Sequence, residues 1–130
     1  MKLKNINEHF KYSKEGFTKE TLIENGKMRC FLINLMPGQS VPQHSYEGSE
    51  GAIYMVKASM LFRIDQRDVC AAEGDIISFH GNEMLGVRNN TGINASCMIT
   101  VCPNPDKEAA SDIQEIGFQS GELYNNLKVV

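Results

Sequence analysis

The sequence predicts an all-β fold, a sandwich or barrel of short strands. Apolar and polar residues alternate with a period of two over most of the chain before Pro103, which is the period of strands with one buried face. Turn residues interrupt this pattern at spacings of about 8 to 12 residues, as is typical of sandwiches and barrels. The predicted strands are Thr21–Asn25, Lys27–Met36, 41–46, 52–57, 59–65, 67–71, 75–80, 84–89 and 95–102.

The first two strands form a predicted hairpin. Asn25-Gly26 separates the two apolar runs, and both residue types tolerate the positive φ angles that a tight hairpin turn requires. Pro37-Gly38 then ends the second strand, because proline cannot donate a hydrogen bond to a sheet.

Helix is predicted after the strands. Asn104 suits the N-cap, Pro105 the first helical position, and Gly117 the point at which the helix ends. We therefore expect a short C-terminal helix, packed on the outside of the barrel. A second helix-or-arm signal covers Ile6 to Phe10.

Size and composition predict one domain. The chain has 130 residues, of which 42% are hydrophobic and 22% charged, and a chain of this length can bury roughly two thirds of its unfolded surface. We divide it into an N-terminal arm (1–18), a barrel core (about 28–102) and a C-terminal helix and tail (103–130).

Charge and hydropathy exclude several partners. The net charge is −3, so no basic field is available to attract nucleic acid or an anionic membrane surface. No apolar segment follows the charged N-terminus, and the longest apolar run, Cys30–Met36, is far too short to cross a bilayer. We predict a cytoplasmic protein that binds neither nucleic acid nor membrane.

The segment Pro37-Gly-Gln-Ser-Val-Pro-Gln-His-Ser-Tyr-Glu-Gly-Ser-Glu50 resembles the first motif of the cupin superfamily. That motif runs Gly, five residues, His-x-His, three or four residues, Glu, six residues, Gly. Gly38, His44 and Glu50 fit it, while Tyr46 stands at the second histidine and Lys57 at the last glycine.

A second segment matches the second cupin motif in length: Gly, five residues, Pro-x-Gly, two residues, His, three residues, Asn. Gly74 and Asn89 fit, whereas His80, Asn82 and Leu85 replace the proline, the second glycine and the histidine. The two motifs follow each other in order over residues 37–89. The resemblance implies a small cupin, a β-barrel of the jelly-roll type, that pairs through a sheet edge as a homodimer.

The resemblance also implies which side chains enter the barrel. His44 and Tyr46 share a strand face, and Glu50 shares a face with Tyr54. Cupins place such positions in the barrel mouth, so His44, Tyr46 and Glu50 are the candidate catalytic or binding residues. The further candidates for the pocket wall are Tyr54, Leu85, Val87 and Asn89.

A typical cupin metal site uses three histidines and one glutamate. Here two of the four positions hold Tyr46 and Leu85, and leucine cannot ligate, while a phenol with a pKa of about 10 is a reluctant ligand. One alternative restores a site. His80 and Leu85 bracket a short turn, so His80 could face inward and complete a two-histidine, one-carboxylate set with His44 and Glu50, suited to iron, manganese, nickel or zinc.

Three functions stay open from sequence. The first is binding of a small polar molecule in a degenerate, metal-poor barrel. The second is metal-dependent catalysis, as a dioxygenase, isomerase or lyase that uses His44, Glu50 and His80. The third is a structural or regulatory role for a barrel with nothing bound.

Overall fold

We describe residues 1–105 of a computed structural model, which contain nine β-strands and one short 3-10 helix. The helix spans Ile6–His9. The strands are β1 (Thr18–Glu24), β2 (Arg29–Leu35), β3 (Ser40–His44), β4 (Glu50–Lys57), β5 (Ser59–Ile64), β6 (Arg67–Ala72), β7 (Ile76–His80), β8 (Leu85–Arg88) and β9 (Ala95–Cys102). Each predicted strand corresponds to one of these, so the all-β prediction is confirmed.

The strands form two antiparallel sheets. One has the order β1-β2-β9-β4-β7 and the other the order β3-β8-β5-β6. Both contribute fully buried side chains to one core, including Phe31 and Ile53 from the first sheet and Met60 and Phe62 from the second. Two sheets that bury alternate residues against each other give the jelly-roll arrangement that the sequence predicted.

The first hairpin is confirmed, but its turn differs from the prediction. The Asn25 amide donates to the Met28 carbonyl at 3.0 Å, and the Asn25 side-chain oxygen accepts from the amides of Lys27 and Met28 at 2.8 and 3.0 Å. Gly26 does not have a positive φ. The asparagine side chain therefore replaces the left-handed backbone turn as the device that reverses the chain.

The N-terminal residues cover one face of the larger sheet. Ile6 and Phe10 pack against a small outer cluster around Leu22 and Leu32. β1 begins at Thr18, so the barrel begins earlier than the predicted core of about 28–102, and the last residue of the predicted arm belongs to a strand.

The predicted C-terminal helix lies outside the described residues. Just before the end of the described residues, the amide of Asn104 donates to the Lys27 carbonyl at 3.1 Å and its side chain donates to the Asn25 carbonyl at 2.6 Å.

Between residues 1 and 105, no helix is long and apolar enough to span a membrane. Within residues 1–105, four strands lie at sheet edges: β1, β7, β3 and β6. The cytoplasmic location and the homodimer stay predictions.

Candidate functional site

A small cavity lies between the two sheets. Its volume is about 20 Å³, which is room for about one water molecule. Three of its lining residues are polar, Lys19, His44 and Tyr46. The apolar lining residues are Phe17, Phe31, Ile33, Val41, Leu85, Val87 and Ile99. His44 is the one lining residue that is partly exposed, the others being buried.

His44 and Tyr46 form a hydrogen-bonded pair in the cavity wall. His44 is the last residue of β3, and its Nε2 lies 2.7 Å from the Tyr46 hydroxyl. The His44 Nδ1 lies 3.0 Å from the Pro42 carbonyl. Because a carbonyl can only accept, Nδ1 carries the proton, and in the neutral ring Nε2 accepts the hydrogen bond that Tyr46 donates.

The environment of His44 favours this neutral ring. Burial lowers the pKa of His44 below its ordinary value, and the charge of Lys19 lowers it further, although the hydrogen bond to Pro42 acts in the opposite direction. The imidazole is therefore uncharged at neutral pH, and the pair satisfies its own hydrogen bonds across the cavity wall.

Lys19 is the third polar residue of the cavity, and the sequence analysis did not identify it. Its side chain extends from β1, is 8% exposed, and places Nζ 4.2 Å from the centre of the Phe31 ring. Burial lowers the pKa of Lys19 to about 8, and the charge of Arg29 contributes to that shift while Glu24 opposes it. The amine is thus mostly protonated at neutral pH.

A second buried cation lies on the same hairpin. The Arg29 side chain is 1% exposed, and its Nη2 forms an ion pair with Glu24 Oε2 at 2.6 Å. Its Nε is buried and has no hydrogen-bond partner among residues 1–105. The β1–β2 hairpin therefore carries two buried cationic side chains and one carboxylate that pairs with one of them.

Glu50 and His80 lie outside the cavity. They face each other in the register of β4 and β7, and their side chains are 71% and 72% exposed. His80 Nδ1 lies 2.9 Å from Glu50 Oε2. The hydrogen bond to Glu50 raises the pKa of His80, and the charges of Glu50 and Glu83 add to this.

Solved structures resemble this architecture, although no family model and no curated protein matches the sequence. The TT1209 protein of Thermus thermophilus has a TM-score of 0.76 at 25% identity, over 81% of this chain and 100% of that one. An RmlC-like cupin of Desulfovibrio desulfuricans has a TM-score of 0.73 at 23% identity, over 80% and 98% of the two chains. A double-stranded β-helix domain protein of Klebsiella pneumoniae has a TM-score of 0.75 at 13% identity, over 80% and 91%.

The chain has the cupin fold. The two sequence motifs therefore predicted the fold correctly, although several of their positions hold other residues.

The predicted orientation of β4 is reversed. Ile53 and Met55 are fully buried, whereas Glu50 and Tyr54 are exposed, Tyr54 by 41%. Because side chains alternate along a strand, the two apolar residues take the core face and turn Glu50 and Tyr54 outward. Gly51 is the residue that faces inward at the start of β4. The first cupin motif allows three or four residues before its glutamate, and with four residues the glutamate position falls on Gly51.

Phe79 fills the space beside Gly51. The two residues are opposite each other in β4 and β7, and a Cβ atom on Gly51 would lie 2.2 Å from the Phe79 ring. Phe79 is 4% exposed, and its ring centre is 6.2 Å from that of Tyr46. A phenyl ring thus takes the place at which the cupin motif implies a carboxylate.

The described residues of this barrel do not fit a transition-metal site. The structure separates the proposed ligands, because His44 faces the cavity while Glu50 and His80 form their pair outside. Over residues 1–105, no three His, Cys, Asp or Glu side chains come together in a way that could hold a metal ion. The ammonium of Lys19 would in addition repel a divalent cation in the cavity.

The remaining predicted pocket residues divide into two groups. Leu85 and Val87 line the cavity of the cupin barrel. Asn89 is fully buried but lies outside the cavity wall, where its side-chain amide donates to the carbonyls of Leu35 and Ile93 at 2.9 and 2.8 Å. Asn89 therefore holds the end of β8 to the loop before β9.

Proposed function

We propose that this cupin barrel binds a small polar molecule without a metal ion. The observation that carries the proposal is the convergence of Lys19, His44 and Tyr46 on a cavity whose other walls are apolar. Ligand sites are commonly of this kind, with apolar walls and a few polar groups that orient the ligand.

The size of the cavity limits how the ligand binds. Because it has room for about one water molecule, one small polar end of the ligand enters it. We expect the rest of the ligand to lie on the side of His44, the most exposed of the lining residues. Neutral His44 and the Tyr46 hydroxyl keep each other in a fixed orientation in the cavity wall.

A ligand screen by thermal unfolding tests the proposal. A molecule that binds the folded state raises the melting temperature by mass action, and here it should do so equally in the presence of a chelator. Tyr46→Phe removes the hydroxyl from the cavity wall and should weaken the stabilisation. Tyr54→Phe is the matched control, since Tyr54 lies on the outer face, and it should leave the stabilisation unchanged.

Two outcomes would contradict the proposal. Stabilisation that is lost with chelator and restored by iron, manganese, nickel or zinc would indicate a metal-dependent site instead. A broad screen in which no compound raises the melting temperature would indicate a barrel with a structural or regulatory role.

A further inference from the structure

We propose that the ligand is a small anion with a carboxylate-like head group, and that Lys19 is the residue that binds it. This inference rests on the proposed binding function and adds the charge of the ligand and the residue that recognises it.

The first argument is the environment of the Lys19 ammonium. It is buried and lines the cavity, and its contact is the face of the Phe31 ring at 4.2 Å. None of the ion pairs found among residues 1–105 includes it. Its Nζ is not one of the buried side-chain atoms that lack a hydrogen-bond partner, so a molecule that enters the cavity can contact it. An anion in the cavity would supply both an opposite charge and a hydrogen-bond acceptor.

The second argument is the balance of charge around the cavity. Arg29 is a second buried cation on the same hairpin and has one unpartnered donor, Nε. Glu24 is the carboxylate that pairs with Arg29. His44 is uncharged at neutral pH and accepts the hydrogen bond that the Tyr46 hydroxyl donates, so this pair carries no negative charge that offsets Lys19. This part of the barrel therefore has a surplus of positive charge.

The third argument is size and polarity. The cavity has room for about one water molecule. One oxygen atom of a carboxylate needs about the same space. The apolar walls, which include Phe31, Leu85 and Val87, disfavour a fully hydrated inorganic ion, because the cavity has no room for its water shell. A short monocarboxylate meets these requirements.

The experiment compares acids with uncharged analogues of the same shape. Acetate, isobutyrate and benzoate are titrated against acetamide, isobutyramide and benzamide, with binding measured from NMR chemical shifts of the Leu85 and Val87 methyl groups. We expect each acid that binds to do so at least about tenfold more tightly than its amide, since hydrogen bonds to charged groups are the stronger ones.

Two lysine variants locate the effect. Lys19→Met keeps the apolar stem but removes the charge, and it should abolish the preference for acids. Lys57→Met is the matched control, because Lys57 is exposed and also lies over aromatic rings, 5.4 Å from those of Phe10 and Tyr12. It should keep the preference. If Lys19→Met does not fold, the Lys19 Cε resonance of wild-type protein with ¹³C-labelled lysine serves instead, and it should shift with acids alone.

The possible results separate the inference from the proposed function. Amides that bind as tightly as acids, or an unchanged preference in Lys19→Met, would overturn the inference and leave the binding function in place. Inorganic phosphate that binds more tightly than every carboxylate would overturn the choice of head group. A protein that binds none of the probes, and no compound in the wider thermal screen, would overturn both.

Discussion

His80 Nδ1 lies 2.9 Å from Glu50 Oε2 across β4 and β7, on the outside of the barrel. The glutamate that the first cupin motif assigns to the barrel interior thus forms an exposed pair with a histidine of the second motif. This pair accounts for two of the three proposed metal ligands and leaves His44 with Tyr46 and Lys19 in the cavity.

We expect Glu50→Gln to lower the pKa of His80. The hydrogen bond to the Glu50 carboxylate is the main cause of the raised pKa, and an amide in its place cannot stabilise the imidazolium by charge. NMR titration of the imidazole should give His80 a pKa above 6.5 in the wild type and a value closer to 6.5 in the variant. Glu47→Gln, in the exposed loop before β4, is the control. A His80 pKa that Glu50→Gln leaves unchanged would mean that the pair does not form in solution.

The pKa of His44 should be shifted in the opposite direction, below its ordinary value. Its folded-state pKa is lowered from 6.5, chiefly by burial, so below about pH 6.5 the unfolded chain binds a proton that the folded chain does not bind. The free energy of unfolding should therefore fall as the pH drops from about 6.5. Urea denaturation at several pH values measures this slope, which His44→Gln should reduce and His80→Gln should not. Equal slopes in wild type and His44→Gln would show that His44 is hydrated and free to protonate.

The sequence predicted the strands better than it predicted their orientation. Alternation and turn residues are local, and they located the nine strands that lie within residues 1–105. The orientation of β4 was misjudged because the motif match placed Glu50 inside, although the apolar pair Ile53 and Met55 on the opposite face was a readable signal. The pairing of Gly51 with Phe79 depends on the register between β4 and β7, which one sequence does not reveal.

Lys19 could not be found from composition or pattern. Lysine is rarely buried, so a lysine within a strand is expected to face solvent. The signal that was available is that Phe17, Lys19 and Thr21 share one face of the chain, with Phe17 buried in the core. Using that signal would have required β1 to begin at Thr18, within the segment that the sequence analysis assigned to the arm.

The burial of Lys19 should give stability an unusual dependence on alkaline pH. Its pKa is about 8 in the folded chain and 10.5 ordinarily, so between these values the unfolded state binds more protons than the folded state. The free energy of unfolding should rise over this range, by up to about 3 kcal/mol from this group. Urea denaturation at about pH 7 and about pH 10 tests this prediction. The quantity to compare at each pH is the difference in the free energy of unfolding between wild type and Lys19→Met. Lys57→Met should behave as wild type, and a pH-independent difference for Lys19→Met would contradict the burial of a charged amine.

Finally, Gly51→Ala should destabilise the barrel. A Cβ atom there would lie 2.2 Å from the Phe79 ring, and overpacking of this kind costs about 1–3 kcal/mol. Gly26→Ala is the matched control, since a Cβ atom at Gly26 meets nothing within 4 Å and the backbone there is not left-handed; its effect on the free energy of unfolding should stay within about 1 kcal/mol. Phe79→Leu shortens the opposing side chain, so in the double variant the cost of Gly51→Ala should be smaller than in the wild-type background. A cost that is the same in both backgrounds would mean that Phe79 is not the side chain that fills the space beside residue 51.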